Sequence, residues 1–443
     1  MTDLCQLTAI QAAALVREGR AGVRELVEAC LERIEKYEPE IQAWTFLDRD
    51  LALAQADAAQ EQISLGRALG PLHGVPIGVK DIVDTADMPT EYGSPVFAGH
   101  RPTDDAALVA ELRQAGAIVL GKTVSTELAV YTPGPTRNPH NLEHTPGGSS
   151  SGSAAAVAAF MVPGAIGSQT NGSVIRPAAY CGVVGYKPSR GLISRHGVLR
   201  QSPSLDTMGV LARTVEDAAL IAEQVMFYDA NDAAMRPRAR PNLLRQAQAE
   251  PPFLPRFAFV KTPMWDHAEP EAREALAELL DALEEPARDY LLPEPFERAV
   301  GWHKTIMEAE IGHNYGPILK RAPDRISPPL RETIERGQKI SAVDYQAALE
   351  AVPKLVALLE PEFEWVDAFI TPATAGPAPK GLSSTGNPIF CTIWTLLGMP
   401  AITLPLLQSD SGLPIGVQLV GQAGQDAQLV RTARWLADFC AED

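Results

Sequence analysis

From Thr8 to about Tyr37 the apolar positions Ile10, Ala13, Ala14 and Val16, then Val23, Leu26, Val27, Leu31 and Ile34, recur at steps of three and four. This spacing predicts two amphipathic helices broken at Gly19 to Gly22. Ala52 to Gln62, rich in Ala and acidic residues, predicts a third. The texture then changes. Gly74 to Val83 and Ala117 to Leu120 are short apolar runs bounded by Gly, with a helical pattern over Ala106 to Gln114 between them. Such alternation is the mark of α/β architecture, in which crossover helices feed strands. From Phe227 to about Arg256 the chain becomes rich in Pro, Arg, Gln and Ala, as at a boundary or an excursion. Helical patterns follow at Glu269 to Glu285, around Trp302 to Ile311 and at Ala342 to Leu359. Strand-like runs return at Val366 to Thr371, Ala401 to Leu404 and Ile415 to Val420. The organisation expected is a core carrying its motifs within 70–210, a variable helical insertion at about 227–360, and a segment over 365–443 that completes the core. No internal repeat is visible.

Composition narrows the function. The 443 residues are 46% hydrophobic and 21% charged, which is globular composition, and the formal charge of −17 excludes a nucleic-acid binder driven by net charge. The first residues lack a basic stretch followed by an apolar run, and no segment approaches the roughly 20 apolar residues that span a bilayer. The five cysteines are scattered and never spaced as Cys-x-x-Cys, so a reduced, cytoplasmic protein is the expectation. His140 and His144 are four apart, but Pro139 and Pro146 place them in a loop, and no metal site is expected.

Between Thr145 and Ile175, 31 residues pass without a Lys, Arg, Asp or Glu. A segment so free of charge reads as the buried centre of the molecule. It opens with Thr145-Pro-Gly-Gly-Ser149-Ser150-Ser151-Gly-Ser153 and runs at once into an Ala-rich helix. The Gly/Ser turn therefore lies at a helix N-terminus, where unpaired amides and hydroxyls converge, and not in a surface linker. Further on, Gly167-Ser-Gln-Thr-Asn-Gly-Ser173 sets a Ser in a Gly-containing turn, the arrangement an oxyanion hole requires. A Ser nucleophile needs a base. No His lies in either motif and no Gly-x-Ser-x-Gly elbow is present, so Lys is the natural partner. Lys80 in Val75-Pro-Ile-Gly-Val-Lys, Lys122 and Lys187 all compete for that role, and spacing does not choose among them.

Gly74-Val-Pro with Lys80-Asp81, Gly147-Gly-Ser149-Ser-x-Gly, Ser173 placed 24 residues after Ser149, and Pro177-Ala-x-x-Cys-Gly-Val-x-Gly-x-Lys-Pro together resemble the amidase signature family. The likeness is dense from about Gly74 to Gly209 and returns at Trp394 to Ala401 and Gly412 to Gln418. It implies a single α/β domain over 1–443, with a central twisted mixed β-sheet covered by α-helices on both faces. It also implies a Ser-cisSer-Lys triad with Ser173 as nucleophile, Ser149 as the bridging cis-serine and Lys80 as base. The oxyanion hole would be the amides of Thr170, Asn171, Gly172 and Ser173. No cofactor is implied, and a homodimer is a family-level expectation.

Two positions depart from the family. Most members carry Asp four residues before the nucleophile and Arg two after it, where this chain has Gln169 and Ile175, with Arg176 at plus three. That pattern resembles the malonamidase-like branch, in which the shifted Arg addresses a substrate carboxylate by bidentate recognition. Arg176 is therefore expected either at a substrate carboxylate or tied to backbone carbonyls near the turn, with Ser150 in support and Tyr131 bordering the site. The leading expectation is an amidohydrolase cleaving small linear amides through an acyl-enzyme, with esters or carbamates open to the same chemistry. Its partners would be the small amide and, in a homodimer, a second copy of the chain, with no nucleic acid and no membrane. The alternatives are the glutaminase subunit of a glutamyl-tRNA amidotransferase, passing ammonia to a partner, and a catalytically silent binding protein.

Overall fold

A computed structural model describes residues 3–283 and 287–442. The predicted helices are present at Ala9–Arg17, Val23–Ile41, Arg49–Ser64 and Ala107–Gln114. The first starts where Thr8 accepts from the Gln11 amide and the Gln11 side chain accepts from the Thr8 amide, a reciprocal cap that satisfies two donors the helix leaves open. The break at Gly19 to Gly22 falls between the first two helices. The pattern expected over Glu269 to Glu285 forms Pro270–Ala282, and its last two positions lie outside the described residues.

The described residues form one eleven-stranded sheet. Its strands are β1 (Trp44–Leu47), β2 (Pro76–Lys80), β3 (Ile118–Thr123), β4 (Gly164–Gln169), β5 (Val184–Lys187), β6 (Thr207–Ala212), β7 (Phe257–Val260), β8 (Arg288–Tyr290), β9 (Ala368–Pro372), β10 (Ala401–Gln408) and β11 (Pro414–Val420). The order is β1-β3-β2-β4-β6-β5-β10-β11-β9-β7-β8. The sheet is mixed. β2 lies parallel to both β3 and β4, and β7 parallel to β8 and β9, while β4 with β6 and β10 with β11 are antiparallel. Helices pack on both faces. The stretch 227–360 is more than helical, because it contributes β7 and β8 to the sheet edge beside β9.

This topology positions the site. From β2 the chain turns to β3 on one side and later to β4 on the other, so the ends of β2 and β4 open a crevice at a topological switch. Lys80 closes β2 and Gln169 closes β4. Between Thr145 and Ile175 every residue is buried except Ala158, Phe160 and Asn171, which are half-buried. The Ala-rich helix Ser151–Ala158 is held close to its neighbours, and a Cβ at Gly152 would run into the Ala43 carbonyl oxygen.

Candidate active site

Lys80 is fully buried, with its Nζ 2.7 Å from Ser149 Oγ and 2.9 Å from Ser168 Oγ. Burial drives its pKa well below the usual lysine value. Asp206 opposes that shift and the nearby Arg176 charge adds to it. A neutral amine beside a hydroxyl is what a base requires. The competing lysines are engaged elsewhere. Lys122 bonds the Val83 carbonyl (2.5 Å) and Thr90 Oγ1 (2.6 Å), and Lys187 bonds the Pro188 and Met399 carbonyls.

Ser149 follows a cis peptide bond from Gly148. The preceding Gly147 has φ +80°, and a Cβ there would meet Pro177 Cα at 2.8 Å, so this turn needs glycine both for its backbone and for its contact with the helix Ile175–Cys181. Ser173 is joined to the same loop through its carbonyl, which accepts from the Ser150 amide at 3.3 Å. Its side chain lies at the edge of solvent and makes no hydrogen bond among the described residues.

The turn from Thr170 to Ser173 is fastened from behind. The Thr170 hydroxyl donates to Asp206 (2.6 Å), and the Thr170 carbonyl accepts from His303 Nε2 (2.9 Å). The Asn171 carbonyl accepts from Thr395 Oγ1 (2.5 Å), and the Gly172 carbonyl from the Arg176 amide (2.9 Å). Gln169 supplies the rest. Its Oε1 accepts from the Val174 and Ile175 amides, and its Nε2 donates to Thr395 Oγ1 at 2.9 Å. An Asp in its place could accept from the same amides but could not donate to Thr395.

Arg176 is buried with no carboxylate partner among the described residues. Its Nη2 donates to the Gly148 carbonyl (2.6 Å) and Thr385 Oγ1 (3.1 Å), while Nε and Nη1 have no partner among the described residues. Burial lowers its pKa, and the groups that oppose the shift are Tyr180, Cys391 and Tyr131. Tyr131, 44% exposed, lies within reach of the Arg176 charge. Ser150 is fully buried, and its hydroxyl is engaged with the Ser168 backbone. A cavity of about 280 Å³ reaches the far side of this arrangement, lined by Ser168, Thr170, Gln201 and Asp206.

Sequence reasoning missed four partners of the expected residues. Ser168 lies five residues before Ser173, and the pairing of β2 with β4 would have placed it near Lys80 had that pairing been inferred. Asp206 and His303 come from distant segments that no local spacing marks, and Thr395 lies within the Trp394 to Ala401 stretch that carried the resemblance, though nothing there pointed to its hydroxyl.

The chain matches the Amidase family model over residues 25–430. It belongs to that family. This amidase is an enzyme of the class that hydrolyses amide C–N bonds. It is 35% identical to a glutamyl-tRNA(Gln) amidotransferase subunit of Chloroflexus aggregans, over 97% of this chain and 96% of that one. Among solved structures it is similar to the protein of a vestigial complex tied to the origins of an s-triazine catabolic enzyme (TM-score 0.91, 28% identity, 98% of each chain). It is also similar to the corresponding glutamyl-tRNA(Gln) amidotransferase subunit of Thermotoga maritima (TM-score 0.81, 30% identity, 98% of this chain and 94% of that one). The mixed sheet with helices on both faces is shared with these structures. The expectation of partners limited to a small amide and a second copy, with no nucleic acid, is corrected here: full-length relatives are named as subunits of a tRNA amidotransferase. Among the described residues no helix is long and apolar enough to cross a membrane, and no cluster of His, Cys, Asp and Glu could hold a metal ion.

Proposed function

We propose that this amidase is the ammonia-releasing subunit of a glutamine-dependent amidotransferase, working in the cytoplasm beside partner chains. The observation that carries the reading is the 35% identity, end to end, with a protein named as an amidotransferase subunit. In this reading neutral Lys80 takes a proton from Ser149 as Ser149 takes one from Ser173, and Ser173 Oγ attacks the side-chain amide carbon of glutamine. The oxyanion is met by the amides of the Thr170 to Ser173 turn. The relay then returns a proton to the departing nitrogen, so ammonia leaves and an ester to Ser173 remains. Water, deprotonated by the same relay, hydrolyses that ester. Arg176 seats the carboxylate of the substrate through its unpaired Nε and Nη1.

A second reading, hydrolysis of another small linear amide bearing a carboxylate, is favoured by Gln169 and the displaced Arg176. The test is ammonia release from L-glutamine, malonamate and propionamide by the wild type, Ser173→Ala and Arg176→Met. Glutamine is expected to be the best substrate and Ser173→Ala inactive. Arg176→Met should lose about tenfold or more on the two acids and little on propionamide. Preference for malonamate would favour the second reading, and inertness towards all three amides would contradict both.

A further inference from the structure

The residues that approach the Thr170 to Ser173 turn from behind have a common geometry. In a trans peptide the C=O and the following N–H point in opposite directions, so a donor fixed on one carbonyl sets the direction of the next residue's amide. Three successive carbonyls carry such a donor: His303 Nε2 on Thr170, Thr395 Oγ1 on Asn171 and the Arg176 amide on Gly172. The amides they orient belong to Asn171, Gly172 and Ser173. Two of the three donors are side chains, and both come from far along the chain.

Their direction is fixed. A carbonyl only accepts, so His303 carries its proton on Nε2, and the buried ring, with its pKa held down to about 4, stays neutral. Thr395 Oγ1 already accepts from Gln169 Nε2, so its own proton goes to Asn171. Thr392, one turn earlier on the helix Ile389–Leu396, donates to the Asn171 side-chain Oδ1 at 2.7 Å and holds the same residue from a second point. A donor on each carbonyl also polarises the peptide, and the amide beyond it donates more strongly.

We propose that Thr395 and His303 are positioning residues of the oxyanion hole, holding the peptide planes whose N–H groups, on Gly172 and Asn171, stabilise the charge formed when Ser173 attacks. The assignment rests on Ser173 being the nucleophile, as in the function proposed above. It accounts for Gln169 in place of the family's Asp, because only the amide side chain both gathers the Val174 and Ile175 amides and hands a hydrogen bond to Thr395. It also gives the helix Ala299–Arg321, part of a region expected to be variable, a fixed duty at the reaction centre through His303.

The experiment uses two probes that do not depend on the natural substrate: turnover of p-nitrophenyl acetate, and inhibition by phenylboronic acid, whose tetrahedral adduct on Ser173 places an oxyanion in the same hole. Thr395→Val keeps the shape and loses the hydroxyl. It should lower kcat by about tenfold to a hundredfold, less than deleting a hole donor outright, with KM changed by less than about threefold. Boronate affinity should fall in parallel with kcat. Thr395→Ser should restore both to within about threefold of wild type. His303→Phe should behave like Thr395→Val, and His303→Gln, which keeps a donor near the Nε2 position, should recover much of the loss. Wild-type kcat and boronate affinity in Thr395→Val and His303→Phe would overturn the assignment while leaving the hydrolase intact. Equal loss in Thr395→Val and Thr395→Ser would overturn it too, as the mark of a packing effect. A wild-type enzyme inert to both probes would overturn the nucleophile assignment, and this one with it.

Discussion

Lys80 ends a strand, and on sequence alone it stands level with Lys122 and Lys187. Its environment separates them. Lys122 bonds one carbonyl and two threonine hydroxyls beside the Asp81 carboxylate, and Lys187 bonds two carbonyls, whereas Lys80 faces only the Ser149 and Ser168 hydroxyls within hydrogen-bond reach, and burial lowers its pKa. In the proposed mechanism Lys80 must be neutral to act as base, so the rate is expected to fall as pH drops through the lowered Lys80 pKa and to level off above it. Asp206 acts against the shift, since its charge favours the protonated amine. Asp206→Asn should therefore lower the Lys80 pKa further and move the acid limb of the pH–rate profile to lower pH. A limb that moves upward or stays in place would refute the coupling. Ser149 and Ser173 stood out through their Gly/Ser motifs, whereas Lys80 was singled out from its rivals only by the resemblance to the amidase signature family. Ser168 and Asp206 were not legible, because their effect on Lys80 exists only once strands pair and the loop after Gln201 folds back.

The helix Ala9–Arg17 shows how far local pattern reaches. Its apolar spacing and its Thr8 to Gln11 cap are written in adjacent residues, and the structure forms it as expected. Its attachment is not local. The Ala9 and Ile10 amides donate to the carboxylate of Asp217, on the helix Val215–Val225, at 2.9 and 3.0 Å. Removing that acceptor strands two amides, one of them fully buried, and Asp217→Ala should cost about 2 to 4 kcal/mol in urea unfolding. Burial pushes the Asp217 carboxyl up to about 6, above its unfolded value of roughly 3.9. A group raised in this way stabilises the fold fully below the unfolded pKa and loses that contribution as pH rises through about 6. The gap between wild type and Asp217→Ala should thus narrow from pH 4 to pH 6, and a widening gap would contradict the assignment. The strands β7 and β8 were illegible for a related reason. Both are short, they follow a Pro-rich stretch, β8 pairs only with β7, and the other partner of β7, the strand β9, lies more than a hundred residues beyond it.

Across the whole sheet, the β2–β4 crevice collects side chains from three parts of the chain: Lys80 and the Ser motifs from the N-terminal half, His303 from the stretch 227–360, and Thr395 with Thr385 from 365–443. The stretch 227–360 is bound in by Glu310, which accepts from Ser202, Ser204 and Tyr345 and so links two of its helices to the loop that holds Asp206. The net charge of −17 spoke against non-specific nucleic-acid binding and said nothing of protein partners, which is why full-length likeness to named subunits corrected the expectation of a self-sufficient enzyme. All of this depends on Ser173 forming an ester with the acyl group. The most direct measurement is peptide-mapping mass spectrometry of the enzyme quenched in acid during turnover of p-nitrophenyl acetate. An acetyl group on the peptide carrying Ser173, lost in Ser173→Ala and slow to form in Lys80→Met, is the expected result. Acetylation at another residue, persisting in Ser173→Ala, would contradict the account.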